Sequence, residues 1–388
     1  MIIGVLKEIK KDENRVALVP GQVRMLSERG HTVHVQSGAG NRSGYRDDEF
    51  KAAGAMISDK KTLLRKAELV LKIKEPIEPE IGDYGADQTL FTYLHFDGNT
   101  PRETIDRLIK SGFLGIAYEW VEKDGHLVLL EPMSRLTGYL FAQRAVELCT
   151  RYKGVLCGRH ENGLPGAKVL LIGIGTIGST ALKYFMDINA DITVLDKHPE
   201  TLNERINRRF GLAGDHLARL GIRTLRFDSE HPYASRDELA RLLPSFDIVI
   251  NSALRRADLP PARLDHLITA DMIRTMRPDS VVCDATANIR DLIETAYPFE
   301  ELDHFYREHG VIHYNSDHIP SMVGRTATDI LTAATFPYVL DMAEHGVHEA
   351  IRRNAALRAG VSCYRGRITH AYTAKQKGYD HTPILDMI

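Results

Sequence analysis

Short apolar runs alternate with amphipathic segments along the first third of the chain. Five runs rich in β-branched and aromatic residues read as strands: MIIGVL, HTVHVQ, AELVLKIK, TLFTYLH and FLGIAYEWV. The segments between them, GQVRMLSERG, SDKKTLLRKAE and TPRETIDRLIKSG, have the apolar spacing of helices. Because strands that alternate with helices form parallel sheets, this region predicts an α/β domain.

A second series of the same kind follows the glycine-broken segment CGRHENGLPGA. Its predicted strands are KVLLIGIG, DITVLD, IRTLRF, FDIVINSA and SVVCDA, with helical segments such as RDELARLL and TADMIRTM between them. Beyond it, a helical pattern extends from Arg325 to about His345. We expect the end of the chain to rejoin the first domain, so that the second series is an insertion.

The composition is that of an ordinary soluble protein. The 388 residues are 43% hydrophobic and 26% charged, with a formal net charge of −2, which argues against nucleic-acid or membrane partners and favours small molecules. The N-terminus has no secretory h-region and no run is long enough to span a membrane, so we expect a cytoplasmic protein. The four cysteines lack CxxC spacing, so we expect free thiols and no metal site.

The stretch KVLLIGIGTIGSTALKYF predicts a dinucleotide site. Gly173, Gly175 and Gly178 have G-x-G-x-x-G spacing between an apolar strand and a helix. The first glycine allows the tight turn, the second lets a pyrophosphate approach the backbone, and the third lets helix and strand pack closely. Thr176 and Ile177, which open the helix, are expected to contact the cofactor.

The cofactor predicted is NAD. Asp196 ends the next strand, where a carboxylate accepts hydrogen bonds from the ribose hydroxyls and repels a 2′-phosphate. Lys197 and His198 follow it and can partly offset that repulsion. We also predict cofactor contacts from Ala253 and Leu254, at the end of FDIVINSAL.

Three polar residues of the first domain form a candidate substrate site. Arg15 lies in ENRVALVP, Lys74 in VLKIKEP and His95 in FTYLHFDG. Each alone suits a surface or structural role, but ligands gather at the carboxyl ends of parallel strands, where Lys74 and His95 lie. A guanidinium can hold a carboxylate, an ammonium can polarise a carbonyl, and an imidazole can transfer a proton near neutral pH.

The chain resembles the family of alanine dehydrogenase and the alpha subunit of nicotinamide nucleotide transhydrogenase, and more distantly saccharopine dehydrogenase. The segments that carry the resemblance occur in the family's order: KEIKKDENRVALVP, GHTVHVQSGAG, VLKIKEP, LFTYLH, PMSRLTG, GIGTIG, VIHYNSDHIPSMVGRTAT and GVSCYRGRITHAY. The resemblance covers nearly the whole chain.

The resemblance implies a role for each matching residue. Arg15 would bind the substrate carboxylate, Lys74 would contact the carboxylate or carbonyl oxygen, and His95 would be the general acid/base. Ser134 of PMS would lie near the cofactor. Glu75 also matches a family residue, but a structural role, holding Lys74 in place, is the one we expect for it. It further implies NAD as cofactor and a homo-oligomer, a hexamer or a dimer.

With this resemblance, the predicted fold class is α/β with two domains. A Rossmann dinucleotide-binding domain, residues 131–302, is inserted into a Rossmann-like α/β substrate domain formed by both chain ends, residues 1–130 and 303–388.

The chain departs from the family after the strand SVVCD. Family members have a segment like VAIDQGG there, and its aspartate corresponds to Asn288. An amide keeps the shape of a carboxylate but not its charge. The family's two glycines correspond to Arg290 and Asp291, which add bulk and charge.

Two further departures involve residues that are expected near the substrate. His318 stands where the family usually has an asparagine that lines the cleft. Arg255 and Arg256 lie in a loop that is short in the family. They are either solvated or able to bind a second carboxylate on a substrate larger than alanine.

Three functions are consistent with these residues. The preferred one is an NAD-dependent amino-acid dehydrogenase in which His95, Lys74 and Asn288 surround the reacting atoms and Arg15, Lys74 and His318 bind the substrate. The first alternative is an opine- or saccharopine-type dehydrogenase, which joins an amino acid to a 2-oxo acid. The second is an NAD(H)-binding sensor without turnover.

Overall fold

The computed structural model describes residues 1–98, 100–158, 163–255 and 263–388. They divide into two compact units: unit 1 comprises residues 1–133 and 320–388, and unit 2 comprises residues 134–319. Unit 1 is therefore built from both ends of the chain. Each unit contains a mainly parallel sheet, so the predicted two-domain α/β fold class is confirmed.

The first part of unit 1 alternates strands and helices, as its apolar pattern predicts. The pattern did not reveal the second helix and third strand, which are short. The elements are β1 (Ile2–Val5), α1 (Pro20–Glu28), β2 (Thr32–Gln36), α2 (Asp47–Ala52), β3 (Met56–Ser58), α3 (Lys60–Lys66), β4 (Leu69–Leu71), β5 (Thr89–Thr92), α4 (Arg102–Ile109), β6 (Leu114–Ala117), β7 (Glu122–Lys123) and β8 (His126–Leu127).

Unit 2 repeats this alternation after a long helix that the sequence pattern did not reveal. That helix, α5, approaches the fingerprint helix closely at Gly138, where a Cβ atom would lie 2.2 Å from the carbonyl oxygen of Ile177. The elements are α5 (Leu130–Leu148), β9 (Lys168–Ile172), α6 (Thr176–Asp187), β10 (Asp191–Asp196), α7 (Leu202–Phe210), α8 (His216–Leu220), β11 (Arg223–Arg226), α9 (Pro232–Leu242), β12 (Ile248–Asn251), α10 (Ala270–Arg274), β13 (Val281–Asp284), β14 (Tyr306–Glu308) and β15 (Val311–Tyr314).

The C-terminal part of the chain completes unit 1. It begins with the long helix that was predicted from Arg325 to about His345. No helix among the described residues is both long enough and apolar enough to cross a membrane. The elements are α11 (Gly324–His345), α12 (Val347–Arg353), α13 (Ala355–Ala359), β16 (Val361–Tyr364), β17 (Arg367–Ile368) and α14 (Ala371–Lys377).

The sheet of unit 1 has the strand order β17-β16-β6-β5-β4-β1-β2-β3. The strands from β6 to β3 are parallel, while β16 and β17 are antiparallel additions at one edge. From β1 the chain builds outward to β2 and β3, then crosses to β4 on the other side. In open α/β sheets such a switch point opens a crevice at the carboxyl ends of the two strands, here β1 and β4.

The sheet of unit 2 has the order β11-β10-β9-β12-β13-β15-β14, with the switch point between β9 and β12. The division of the chain differs here from the boundary expected at residue 302. Residues 303–319 lie in unit 2, because β15 pairs in parallel with β13, as in the register Val281 to Ile312, and β14 pairs with β15. The apolar pattern of β14 and β15 alone does not indicate which of the two sheets these strands join.

Candidate active site

Titratable side chains gather at one edge of the unit 1 sheet. Arg15 lies in the segment after β1, Lys74 and Glu75 follow β4, and His95 follows β5. Because β1, β4 and β5 are parallel neighbours, their carboxyl ends lie at the same edge, at the switch point. The structure therefore brings the three predicted substrate-site residues of unit 1 to one place.

Arg15 is a buried, oriented guanidinium. Its Nε and Nη2 donate to the two carboxylate oxygens of Glu13 at 2.7 and 2.5 Å, and Nη1 lies 3.5 Å from the sulfur of Met133. Burial acts to lower the pKa of Arg15, but the contact with Glu13 outweighs it and raises the pKa above its ordinary value. Since Glu13 holds the Nε side, the Nη1/Nη2 end is the fork that can receive a second carboxylate.

Two lysines, Lys74 and Lys10, flank the carboxylate of Glu75. Nζ of Lys74 lies 3.4 Å from Oε2 of Glu75, and Nζ of Lys10 donates to Oε1 of the same residue at 3.1 Å. Burial acts to raise the pKa of Glu75, but Lys74, Lys10 and His95 together lower it to about 2. The two ammonium groups therefore face a carboxylate that is ionised at neutral pH.

His95 has a fixed ring and an unusual backbone conformation. Its imidazole stacks on Tyr93 with ring centroids 5.5 Å apart and planes 3° from parallel. Its φ of +50° lies in the left-handed region, which a non-glycine residue seldom adopts. The carboxylate of Glu119 stabilises this turn, because it accepts the N–H groups of His95 and Leu94 at 2.5 and 3.2 Å.

Glu119 is a functional candidate that the sequence analysis missed. It follows β6, its Oε1 lies 4.0 Å from Nδ1 of His95, and it is only 5% exposed. Burial raises the pKa of Glu119 to about 8, although the backbone N–H groups lower it in part. The carboxyl group beside the predicted acid/base thus keeps its proton to a higher pH than an ordinary glutamate does. An acidic residue directly after the apolar run FLGIAY was the signal available in the sequence.

A buried triad of charged side chains, which the sequence pattern did not reveal either, holds the backbone at Lys74. Nζ of Lys72 lies 3.0 Å from Oε2 of Glu8 and 3.0 Å from Oε1 of Glu80. Oε1 of Glu8 in turn accepts the N–H groups of Ile73 and Lys74 at 2.6 and 3.3 Å. The alternation of two lysines in VLKIKEP gives one buried structural cation and one cation at the sheet edge.

The glycine-rich turn of unit 2 has the geometry of a dinucleotide site. Gly173 has a φ of +77°, and a Cβ atom there would lie 2.7 Å from that of Ala253. At Gly178 a Cβ atom would lie 2.0 Å from the carbonyl oxygen of Gly173, so only glycine fits. Gly175 is exposed with open space around its Cα atom, which leaves bare backbone for a pyrophosphate.

Asp196 ends β10, as predicted, and is already bound by three donors. Its Oδ2 accepts the N–H of Ile174 at 3.0 Å, and its Oδ1 accepts the N–H of His198 at 2.8 Å and Nη2 of Arg205 at 2.6 Å. These contacts hold the carboxylate beside the glycine-rich turn. Together with the glycines it fits the adenosine side of a dinucleotide.

The other predicted cofactor contacts also lie in unit 2. Thr176 and Ile177 are the first residues of α6, and Ala253 packs against Gly173 across the β9/β12 switch point. Leu254 is 61% exposed next to Ala253. Ser134 is partly buried near the start of α5.

The loop after β13 is more exposed than Asp284, the last residue of the strand. Asp284 is buried, and burial raises its pKa to about 6 even though Thr286 and Asn251 donate to Oδ1. Asn288 is partly buried, and its amide Nδ2 donates to Oδ2 of Asp291 at 3.5 Å. Arg290 has a φ of +45°, in the left-handed region.

The structure gives Arg255 a structural role. Its Nε donates to Oδ1 of Asp291 at 2.5 Å, and Nη1 donates to the carbonyl oxygen of Leu264. This arginine therefore ties the loop after β12 to the loop after β13, and its expected use for a second substrate carboxylate is not favoured. Arg256 lies outside the described residues. His318 is 2% exposed, and Nδ1 hydrogen-bonds to the neighbouring Asp317.

Comparison with known proteins gives matches that cover both units. The profile of "Alanine dehydrogenase/PNT, N-terminal domain" matches residues 4–137, and that of the corresponding C-terminal domain matches residues 140–371. Alanine dehydrogenase of Bacillus subtilis (strain 168) is 36% identical over 387 residues, which cover 99% of this chain and 96% of that protein. The alanine dehydrogenase of Mycolicibacterium smegmatis is 37% identical over 383 residues, covering 97% and 96% of the two chains.

A solved structure extends the agreement to the fold. The structure described as L-alanine dehydrogenase superposes with a TM-score of 0.81 at 32% identity, covering 97% of this chain and 99% of that one. The fold, the order of the motifs and the full-length identity lead to one conclusion. This chain belongs to the alanine dehydrogenase/PNT family.

Proposed function

We propose that this protein is an NAD-dependent amino-acid dehydrogenase that acts on the CH–NH₂ group of a 2-amino acid. The observation that carries the proposal is the convergence of Arg15, Lys74 and His95 at the carboxyl edge of the unit 1 sheet. A carboxylate clamp, an ammonium group and a proton carrier are the groups that deamination of an amino acid needs. The overall reaction converts amino acid, NAD⁺ and water into 2-oxo acid, ammonium, NADH and a proton.

Unit 2 supplies the cofactor site in this proposal. The bare backbone at Gly175 and the N-terminus of α6 receive the pyrophosphate, and Asp196 lies at the adenosine ribose. Ser134, Ala253 and Leu254 are the remaining contacts that we propose. When bound, NAD accepts a hydride from the substrate α-carbon.

Arg15 and Lys74 orient the substrate. The Nη1/Nη2 fork of Arg15 takes the substrate carboxylate while Glu13 keeps the guanidinium in its plane. Lys74 then faces the oxygen atom that becomes bonded to the α-carbon, and its ammonium group stabilises the negative charge that develops on that oxygen. Glu75 holds the ammonium group of Lys74 at 3.4 Å, so the cation does not need to reorganise when the substrate arrives.

His95 moves the proton. During hydrolysis of the imine it takes a proton from the attacking water, and it returns a proton to the departing amine. Its side chain is 38% exposed, so the imidazole can exchange that proton with solvent between turnovers. Stacking on Tyr93 and the turn stabilised by Glu119 fix the direction in which the ring points.

We also propose Asn288 and His318 as substrate contacts. Alanine is the first candidate substrate, because the relatives that match over the full chain are alanine dehydrogenases. The neutral amide of Asn288 cannot accept a proton, so the proton transfers fall to His95. The full-length similarity favours this function over the opine-type and sensor alternatives.

An absorbance assay of NADH oxidation tests the proposal. Purified protein with NADH, ammonium and pyruvate, or another 2-oxo acid from a panel, should oxidise NADH. Activity only when an amino acid replaces ammonium would support the opine-type reaction. NADH binding without turnover on the whole panel would support the sensor.

A variant of His95 and a matched control variant test whether His95 itself is needed for turnover. His95→Ala should lower kcat by a factor on the order of 10² to 10⁴ and leave NADH binding unchanged. His126→Ala, an exposed histidine of unit 1, is the control and should retain full activity. Equal activity of the two variants would contradict the acid/base role.

Assembly and location complete the proposal. We propose a homo-oligomer, a hexamer or a dimer, in the cytoplasm. Size-exclusion chromatography with light scattering gives the assembly mass, and cell fractionation gives the location. A monomer at all protein concentrations would contradict the proposed homo-oligomer.

A further inference from the structure

Two arginines of α7 reach the adenosine side of the cofactor site in unit 2. Arg205 and Arg209 are four residues apart and share one face of the helix. Nη1 of Arg205 donates to the carbonyl oxygen of Ile174 at 3.1 Å, next to the glycine-rich turn, and Nη2 donates to Asp196. Nη2 of Arg209 donates to Oγ1 of Thr176 at 3.3 Å, in the first turn of α6.

Arg205 reduces the capacity of Asp196 to accept hydrogen bonds from a ligand. Oδ1 of Asp196 accepts both Nη2 of Arg205 at 2.6 Å and the N–H of His198 at 2.8 Å, which uses the acceptor positions of that oxygen. Oδ2 already accepts the N–H of Ile174. The carboxylate therefore lacks a full pair of free acceptors for two neighbouring ribose hydroxyls, and the guanidinium offsets the charge that would repel a phosphate.

The charges around this position are predominantly basic. Lys197 follows Asp196 directly, and Arg226 on β11 donates to the carbonyl oxygen of Lys197 at 3.3 Å. The nearby carboxylate of Glu200 is bound by Nη2 of Arg226 at 2.6 Å. The carboxylates of Asp196 and Glu200 are thus each paired with an arginine, and Lys197 and Arg209 add positive charge, so the local potential favours an anion.

We propose that Arg205 and Arg209 form a subsite for a 2′-phosphate on the adenosine ribose, so that unit 2 binds NADP(H) as well as NAD(H). An arginine near the end of the second strand is the feature that accommodates this phosphate in dinucleotide folds. Arg205 is 34% exposed and can turn one edge of its guanidinium to the phosphate. Asp196 then keeps its two backbone N–H donors and is not left without hydrogen bonds.

This inference rests on the dinucleotide site of the proposed function, and calorimetry separates the two. Titrations with NADH and NADPH, and with the fragments 5′-AMP and 2′,5′-ADP, measure binding without turnover. We expect the dissociation constant for NADPH to lie within about tenfold of that for NADH. Oxidation of NADPH in the presence of ammonium and a 2-oxo acid is a second measurement.

Substitutions assign the effect to the two arginines. Arg205→Gln should weaken NADPH and 2′,5′-ADP by about tenfold or more, since it removes a charged hydrogen bond to phosphate, and should change NADH and 5′-AMP by less than about threefold. Arg209→Gln should act in the same direction. Arg208→Gln is the control, because Arg208 lies on the same helix, is 75% exposed and pairs with Glu204 at 2.6 Å.

Three outcomes overturn the inference. NADH binding with NADPH weaker by more than about a hundredfold would show that the subsite does not exist. Equal losses for NADH and NADPH in Arg205→Gln would show that Arg205 only supports the fold around Asp196. Failure of both dinucleotides to bind the wild-type protein would overturn the cofactor site together with the inference.

Discussion

Replacing Lys72 with methionine removes one charge from the centre of unit 1 and keeps most of the side-chain volume. The ammonium group has no solvent exposure and lies 3.0 Å from one carboxylate oxygen each of Glu8 and Glu80. The variant leaves two buried carboxyl groups without their cation. We expect Lys72→Met to destabilise unit 1 and to lower turnover, because Glu8 also holds the backbone N–H of Lys74.

The size of the effect follows from the proton that the variant must take up. The triad has one positive and two negative groups, so one added proton restores its original net charge. Burial already raises the pKa of Glu8 in the wild type, so we expect this residue to take up the proton. Protonating a carboxyl with an unfolded-state pKa of about 4.3 at pH 7 costs about 4 kcal/mol, within the range of about 3–5 kcal/mol for a broken buried ion pair.

The pH dependence has a defined sign. In the variant the folded-state pKa of the acceptor lies above its unfolded value, so the folded state binds more protons. The variant therefore gains stability as the pH falls, and its deficit against wild type should be largest at pH 7 and above and shrink towards about pH 4.3.

Fluorescence of Trp120 in urea is the assay. It is the single tryptophan of the chain and lies in unit 1, where its indole N–H donates to Asp97 at 3.1 Å. Its signal therefore follows the unfolding of unit 1. The variant Glu8→Gln, Lys72→Met, Glu80→Gln should recover part of the loss, since none of the three triad positions then carries a charge.

An exposed lysine provides the control. Lys66→Met at the end of α3 makes the same chemical change at the surface and should alter stability by less than about 0.5 kcal/mol. A deficit for Lys72→Met below about 1 kcal/mol, or one that does not vary with pH, would refute the reasoning.

Three further substitutions test the site. Burial raises the pKa of Glu119 to about 8, so the folded state keeps a proton that the unfolded chain gives up, and unit 1 should lose stability as the pH rises from about 5 to about 8. In urea titrations at several pH values, Glu119→Gln should reduce this dependence of stability on pH. An unchanged dependence would exclude Glu119 as its source. Arg290→Gly should stabilise unit 2 by on the order of 1 kcal/mol in calorimetry, because glycine adopts the positive φ of this position without strain. A lower stability of the variant would mean that contacts of the arginine side chain stabilise unit 2 by more than the backbone strain destabilises it. Asn288→Asp should change substrate choice or the pH profile of kcat/KM, and identical kinetics would place Asn288 outside the substrate site.

The sequence predicted those parts of the molecule that depend on local pattern. Apolar runs predicted five parallel strands of each sheet, because parallel strands are mostly buried on both faces. They did not predict β3 or the strands from β14 to β17. The fingerprint predicted the turn at Gly173 because the steric need for glycine is itself local. The gathering of Lys74 and His95 followed from one rule, that parallel strands end at one edge.

The missed residues act through contacts between distant parts of the chain. Glu8 meets Lys72 across a sequence separation of 64 residues, and Glu119 meets the N–H of His95 across 24. No local pattern indicates which acidic residue will be buried under which cation. Helix α5 was missed for a related reason: its apolar residues do not form a single stripe, so it lacks the periodicity of a surface helix.

The departures from the family pattern in unit 2 are partly coupled to one another. Asp291 stands where the family has glycine, and it binds Arg255, which belongs to another loop that departs from the family. The amide of Asn288 donates to the other oxygen of Asp291 at 3.5 Å. An aspartate at position 288 would instead place two carboxylates side by side, which raises the pKa of one of them. Asn288→Asp alone therefore creates a like-charge pair with Asp291, and Asn288→Asp with Asp291→Gly is the variant that avoids this pair. If Asn288 contacts the substrate, the double variant and the single variant should differ in the pH dependence of turnover, because only the single variant contains that pair.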